Sequence, residues 1–360
     1  MDIAVIGAAG AVGRSVCVQL CAGVLQPGER LQLVGHRGGA SETGIFGLCI
    51  DLGDAFGAGA PVLEPVLDPS GIAADIVIMV AGETPSAAPD SQVTRDDVAR
   101  TNLPVYREYA EAMAEYGRGH ELVIVQSNPV ELAVDVFARH LGPHRVIGAG
   151  AYNDSQRFQR MVAEAFLASP WGGRTRPLVT GYVLGEHGPG LVPVWSSLRG
   201  HGVDAAAWSA FLSHLRSSRE DADLIGEATA ARAHVADLLT AHHGERAFSF
   251  TRGLPPDVRV VVEPWFAHWA GRTSTVTAHS VVDIVAELRS GHRIVLPLQV
   301  ACATTDWPGV AGVIGLAVDV DCDGWHMSIP LPVTDAERAA LLDSAIAVAD
   351  RLDQWRGPVP

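Results

Sequence analysis

The sequence predicts an α/β chain in which a doubly wound parallel sheet is followed by an α+β domain. Three observations carry that prediction. Over the first 150 residues, short β-branched runs alternate with helix-patterned stretches, the rhythm of a parallel sheet with crossover helices. A glycine-rich turn joins the first strand to the first helix. Past Gly150 the apolar runs lengthen and suit an antiparallel sheet. The expected division is a first domain over residues 1–150 and a second over 151–360 that ends in a helix.

In order, the expected strands of the first domain are Ile3–Ile6, Leu31–Val34, Ile76–Val80, Leu122–Val125 and Val146–Ile147. Their length and branching favour strands over helix segments. Helical patterns fall at about 11–25, 103–117 and 130–140. In the second domain a helix over about 155–168 precedes a strand at Val179–Leu184, and a further helix covers about 219–241. Apolar runs at Val260–Val262, Ile294–Val300 and Val313–Val320 read as antiparallel strands. Thr334-Asp335-Ala336-Glu337 is a capping box that starts the last helix.

Composition narrows the chemistry. The 360 residues contain no lysine, so all 26 Lys+Arg charges are arginine. A P-loop nucleotidase, a protein kinase or a pyridoxal-phosphate enzyme each needs a lysine and is excluded. Bound anions must be held by arginine, histidine or backbone N–H groups. The net charge of −15 argues against a nucleic-acid surface. Five scattered cysteines make no disulfide framework, and no apolar run is long enough for a membrane span. The opening Met1–Ile6 reads as a strand rather than a leader, and the expected location is cytoplasmic. His242, His243, Cys322 and His326 match no metal-ligand spacing, so no metal site is expected.

Gly7-Ala8-Ala9-Gly10-Ala11-Val12-Gly13 follows the first strand and opens a helix. Glycines there let backbone approach a pyrophosphate, and the helix N-terminus supplies oriented donors. This is a Rossmann-type dinucleotide turn in the form G-x-x-G-x-x-G. An acid after the second strand would bind the ribose 2′-OH of NAD, but the chain runs Val34-Gly35-His36-Arg37. Loss of the carboxylate and gain of Arg37 favour NADP, with NAD as the alternative.

Three further patterns follow in order. Ala81-Gly82 after a strand precedes Arg95 and Asn102. Asn128-Pro129-Val130 precedes Asn153-Asp154-Ser155-Gln156-Arg157. Gly185-Glu186-His187-Gly188 follows the strand Val179–Leu184. Together with the glycine turn, this set resembles the lactate/malate dehydrogenase family, from residue 1 to about 198 and again from about 273 onward. The resemblance implies NAD(P)-dependent interconversion of a 2-oxo acid and a 2-hydroxy acid, in a two-domain homodimer or homotetramer. By the same resemblance His187 is the general acid/base, Asp154 its partner, Arg157 the substrate-carboxylate clamp and Arg95 the mobile-loop arginine that polarises the carbonyl. Asn128 positions nicotinamide and substrate, Thr273 or Ser274 places a hydroxyl near the substrate, and Ala81, Gly82 and Asn102 belong to the cofactor site. Read without the resemblance, Asp154 is also a candidate N-cap for a helix starting at Ser155.

The chain departs from that family in one place. Malate dehydrogenases carry a further arginine in the mobile loop for the second carboxylate. Here residues 83–94 contain none, and Gln92 stands shifted. The expected substrate is therefore a 2-oxo acid with a side chain other than that of malate. The alternatives are malate recognised through Arg272, and a non-catalytic nucleotide-binding regulator. A dinucleotide-dependent glycosidase on a similar fold fits less well. The stretch 200–270, with Trp208, Trp265 and Trp269, is longer than the family needs. It is read as an oligomer contact or an altered pocket wall.

Overall fold

The computed structural model describes residues 1–84, 93–219, 222–271, 273–307 and 309–356. Its parallel half consists of β1 (Asp2–Ile6), β2 (Arg30–Val34), β3 (Val62–Val66), β4 (Ile76–Met79), β5 (Leu122–Val125) and β6 (Val146–Gly148). They pair in the order β3-β2-β1-β4-β5-β6, all parallel. β1, β4 and β5 are buried almost end to end because helices cover both faces, which is why they read as unbroken apolar runs. The order reverses between β1 and β4. Ligands of such sheets bind at the carboxyl ends of the strands there.

Helices α1 (Ala11–Gly23), α2 (Glu42–Phe56), α3 (Arg95–Tyr116) and α4 (Val130–Leu141) connect this half. α5 (Gly150–Ala168) follows β6 directly and leads to β7 (Leu178–Gly185) and β8 (Leu191–His201). A helical wall comes next, made of α6 (Ala205–Ser217), α7 (Leu224–Thr240), α8 (Gly244–Arg252), α9 (Pro256–Ala270) and α10 (Ser274–Leu288). Strands β9 (Ile294–Trp307), β10 (Val310–Asp321) and β11 (Gly324–Ser328) precede the last helix, α11 (Asp335–Arg356). β9 and β10 form a long antiparallel hairpin. β9 joins β6 through Gly148 and Gln299, and β10 joins β7 through Gly315 and Gly185. The two halves therefore share one continuous mixed sheet.

Several expectations change against this structure. Val260–Val262 lies inside α9, not in a strand. Val258, Val260, Val261 and Val262 are all buried among α5, α7 and α8, and a helix buried on so many sides loses the periodicity that distinguishes it from a strand. The pair Pro255-Pro256 opens that helix, with proline at its first position. α5 starts at Gly150, so Asp154 sits within the helix and is not its N-cap. α3 starts at Arg95, well before residue 103, because Thr94 and Asp97 form a capping box. The edge strand β3 and helix α2 carried no readable signal. β3 holds Glu64 and Pro65 and is largely unburied, as edge strands are. The capping box at Thr334 is present, with Glu337 N donating to Thr334 Oγ1 at 3.2 Å. No helix among the described residues is long and apolar enough to cross a membrane.

The β1–α1 turn shows what its glycines do. Gly7 sits at φ +87°, and a Cβ there would lie 2.7 Å from the backbone of Ala81. A Cβ on Gly13 would lie 2.2 Å from the carbonyl oxygen of Gly7. The first turn of α1 is thus held flat against the strand ends. Gly13→Ala forces backbone apart and is expected to lower the unfolding free energy by about 1–3 kcal/mol. Denaturant unfolding checks this, and an unchanged midpoint would show that the turn relaxes freely.

Candidate active site

The carboxyl ends of β1, β4 and β5 face α5, α9 and the β7–β8 loop across a cavity of about 380 Å³. Of the residues expected at the site, Val12, Ala81, Gly82, Arg95, Asn128, Asp154, Arg157, His187, Thr273 and Ser274 line it. Gly7, Gly10, Ala11 and Gly13 lie beside it along the β1–α1 turn, and Gly35, His36 and Arg37 follow β2. Arg272 and Gln92 lie outside the described residues.

His187 is carried on the loop that begins at Gly185, where φ is +81° and the chain leaves β7. Its ring lies 2.6 Å, Nδ1 to Oδ2, from Asp154 one turn into α5. Its backbone N–H donates to Glu131 Oε1 at 2.6 Å. The ring packs so closely on α5 that a Cβ at Gly150 would lie 2.5 Å from its Cγ. The other oxygen of Asp154 accepts from Arg157 Nη1 at 2.9 Å, one turn further along the helix. The spacing of Asp154 and Arg157 puts both on the inward face of α5. One buried carboxylate therefore orients a histidine and an arginine together.

The electrostatics follow from burial and these pairings. Burial opposes ionisation of Asp154, but His187 and Arg157 outweigh it and hold the carboxyl below its ordinary range. Burial also opposes a charged His187, and here Asp154, with help from Glu131, raises the ring above its ordinary value. Arg157 is lowered, by burial first, though Asp154 opposes that.

Arg95 is placed differently from the expectation. It begins α3 rather than sitting in a loop. Its guanidinium bonds to Glu186 and, at 3.0 Å, to Glu131, and donates to His187 O at 3.2 Å. Trp355 of α11 lies beneath it, 5.7 Å from ring centroid to Cζ. Glu131 and Glu186 are both buried. Burial, and Glu186 beside it, raise Glu131 above the usual carboxylate range although Arg95 opposes this. Arg351 of α11 meets the other oxygen of Glu186 at 2.7 Å. Ser344, on the same helix, accepts from Glu186 N at 2.9 Å and donates to Gly190 O at 2.7 Å. The C-terminal helix thus braces the histidine loop. Sequence reading missed this layer, and the one signal available was a glutamate inside the apolar start of α4.

Asn102 also differs from its expected role. Its side chain is spent on backbone, with Nδ2 donating to Asn128 O at 2.6 Å and Glu83 O at 2.8 Å, and Oδ1 accepting from Glu83 N at 2.7 Å. It shapes the strand ends from behind and does not line the cavity. Thr273 stands at the N-cap of α10 and meets His268 Nε2 at 3.2 Å. Among the described residues no group of three or more metal-ligating side chains occurs. His326 instead pairs with Asp321 at 2.8 Å.

Comparison with known proteins shows similarity in sequence over the parallel half and in fold over the whole chain. The family model described as lactate/malate dehydrogenase, NAD binding domain, matches residues 1–148. The first 148 residues are thus similar to the NAD-binding domain of lactate/malate dehydrogenases. A malate dehydrogenase of Methanothermobacter marburgensis is 30% identical over 201 residues, covering 55% of this chain and 58% of that relative. The chain thus matches less than two thirds of that relative's length. An L-lactate dehydrogenase of Allorhizobium ampelinum is 25% identical over 279 residues, covering 77% and 76%. The solved lactate dehydrogenase of Cryptosporidium parvum, complexed with lactic acid and b-nicotinamide adenine dinucleotide, superposes with a TM-score of 0.71 at 20% identity. That superposition covers 99% of this chain and 98% of the other, so the shared fold extends through both halves.

The His187–Asp154 pair is directly testable. With the carboxylate gone, burial and Arg157 both lower the ring's pKa, and Glu131 is left to oppose them. In Asp154→Asn the His187 ring is expected to titrate at lower pH than in the parent, read by NMR of the imidazole. A titration that stays in place would remove Asp154 as the controlling charge.

Proposed function

We propose that this chain is a nicotinamide-dependent 2-hydroxy-acid dehydrogenase in which His187 moves the proton and Arg157 holds the substrate carboxylate. The observation that carries this reading is the single buried carboxylate of Asp154 shared between His187 and Arg157 at 2.6 and 2.9 Å.

The residues fit a dinucleotide. α1 begins at Gly10 with no side-chain cap and no acid in its first turn, so its N–H groups are open to a phosphate. Gln126 Oε1 and Asn153 Oδ1 are buried, have no hydrogen-bond partner, and belong to residues that line the cavity. Both are acceptors that a bound group with N–H or O–H donors would satisfy. When bound, the reduced nicotinamide supplies hydride to the substrate carbon. Arg157 grips the substrate carboxylate in a planar two-bond fork, which sets the face of the carbonyl presented. His187, charged through its pairing with Asp154, donates its proton to the substrate oxygen. In the oxidative direction the neutral ring takes that proton back. Arg95, held by Glu131 and Glu186, contributes positive charge beside the carbonyl from the start of α3.

The cofactor we propose is NADP. Gly35 occupies the position of the ribose-binding acid, and a Cβ there would lie 2.6 Å from Ile45 Cγ1, so no longer side chain fits. His36 is taken up by Glu108 at 3.2 Å, while Arg37 has no ion-pair partner within 4.0 Å among the described residues. The substrate we propose is a small 2-oxo acid whose side chain differs from that of malate. The loop 83–94 offers no arginine to a distal carboxylate. Malate recognised through Arg272 is the competing reading. The composition and the family's usual assembly support a cytoplasmic homo-oligomer.

Arg157→Lys loses the bidentate fork and is expected to lower kcat/KM for 2-oxo acids by on the order of a hundredfold. A retained rate in steady-state kinetics would remove Arg157 from this role. Arg37→Ala is expected to shrink the NADPH-to-NADH ratio of kcat/KM by about tenfold or more. The rate of 2-oxo acid reduction is expected to fall as pH rises through the raised pKa of His187, because the charged ring is the donor. Oxidation, which needs the neutral ring, rises through the same window. A pH profile that moves the same way in both directions would contradict the assignment.

A further inference from the structure

The far wall of the cavity holds a cation that the proposed mechanism does not use. Arg232 projects from α7 and lines the same cavity as Arg157 and His187. It makes no ion pair among the described residues. Its one hydrogen bond runs from Nη2 to the backbone oxygen of Val261, at 3.1 Å. Its Nε is buried with no hydrogen-bond partner among the described residues. Burial lowers its pKa. Other interior arginines of this domain are treated very differently. Arg219 is bound by Asp257 and Glu227, and Arg259 by Glu164 and Glu263. A half-buried guanidinium with an empty donor and no counter-ion is costly unless an anion completes it.

The cavity residues from α9 and α10 outline a subsite. Val260, Val261, Pro264 and Trp265 of α9 are apolar, and His268, Thr273, Ser274 and Thr277 add polar groups. Arg232, bonded to Val261 O, brings a guanidinium to this mixed wall, and a few placed polar groups in such a lining select a ligand. Arg157 already takes the 1-carboxylate in the proposed mechanism.

We infer that Arg232 recognises a second anionic group on the substrate side chain, so that the substrate is a 2-oxo acid with a distal phosphonate, a sulfonate, or a carboxylate on a chain longer than that of malate. This rests on the dehydrogenase reading of the site. It assigns the distal charge to the helical wall α7–α9 instead of residues 83–94 or Arg272. It also gives a role to the stretch 200–270, whose helices carry the side-chain pocket.

The test uses the full chain with NADPH and NADH. Steady-state kcat/KM is measured for dianionic acids (oxaloacetate, 2-oxoglutarate, phosphonopyruvate, sulfopyruvate) and for monoanionic ones (pyruvate, 2-oxobutyrate). The readout is the ratio of the best dianionic to the best monoanionic value. In Arg232→Gln that ratio is expected to fall on the order of a hundredfold, and in Arg232→Lys by less. A ratio within threefold of the parent in Arg232→Gln overturns the inference and leaves the dehydrogenase reading intact. Absence of turnover with every acid overturns the dehydrogenase reading instead. Calorimetry of the cofactor-loaded protein with tartronate and oxamate then decides the inference separately. Tighter tartronate binding that is lost in Arg232→Gln supports it, and equal binding in parent and variant refutes it. Circular dichroism and retained cofactor binding show that the variant is folded.

Discussion

One buried carboxylate organises the site. Asp154 is enclosed at the start of α5, and a charge in that position needs partners on every accessible lone pair. His187 takes one oxygen and Arg157 the other. Because all three are buried together, none moves independently. The ring nitrogen, the guanidinium plane and the axis of α5 are fixed by the same requirement. Gly150 has no Cβ because His187 occupies that space, and Gly185 turns the chain so that His187 can reach it.

A second charged layer supports the first from below. Glu131 holds the backbone of His187, Glu186 sits beside it, and Arg95 joins them. Two buried carboxylates this close repel each other unless a cation intervenes. That need explains why Arg95 is drawn into the start of α3 and why Arg351 and Ser344 of α11 close over the loop. The last helix therefore belongs to the active-site scaffold although it lies nearly 150 residues beyond His187. Across the cavity, Arg232 is the exception to the rule these clusters obey. It has no ion pair among the described residues, and the inferred anion subsite rests on that imbalance.

The local motifs were legible. Strands β1, β2, β4, β5 and β6, the glycine turn and the residues His187, Asp154, Arg157 and Asn128 are readable because each depends on short-range chemistry. A glycine at positive φ, a strand buried on both faces and two side chains one helical turn apart leave marks a few residues long. Edge strand β3 and helix α2 left none, since a half-exposed strand with Pro65 lacks the alternating pattern. Val260–Val262 misled because burial on several sides of α9 erases helical periodicity. Arg95 and Asn102 have partners that the sequence did not show, because only spatial neighbours decide what a guanidinium or an amide binds.

The sequence by itself carried the motifs on which the proposed chemistry rests: a dinucleotide turn, a histidine after β7 and only arginine for its cationic side chains, with none of them in residues 83–94. Its reach ended where charges from distant segments meet. The bracing of Glu186 by α11, the pairing of Arg95 with two glutamates and the lack of an ion pair at Arg232 among the described residues are consequences of tertiary packing. Each depends on which acid lies within about 3 Å of which base, and for Arg95 and Glu186 that distance is set by residues 36 to 165 positions apart.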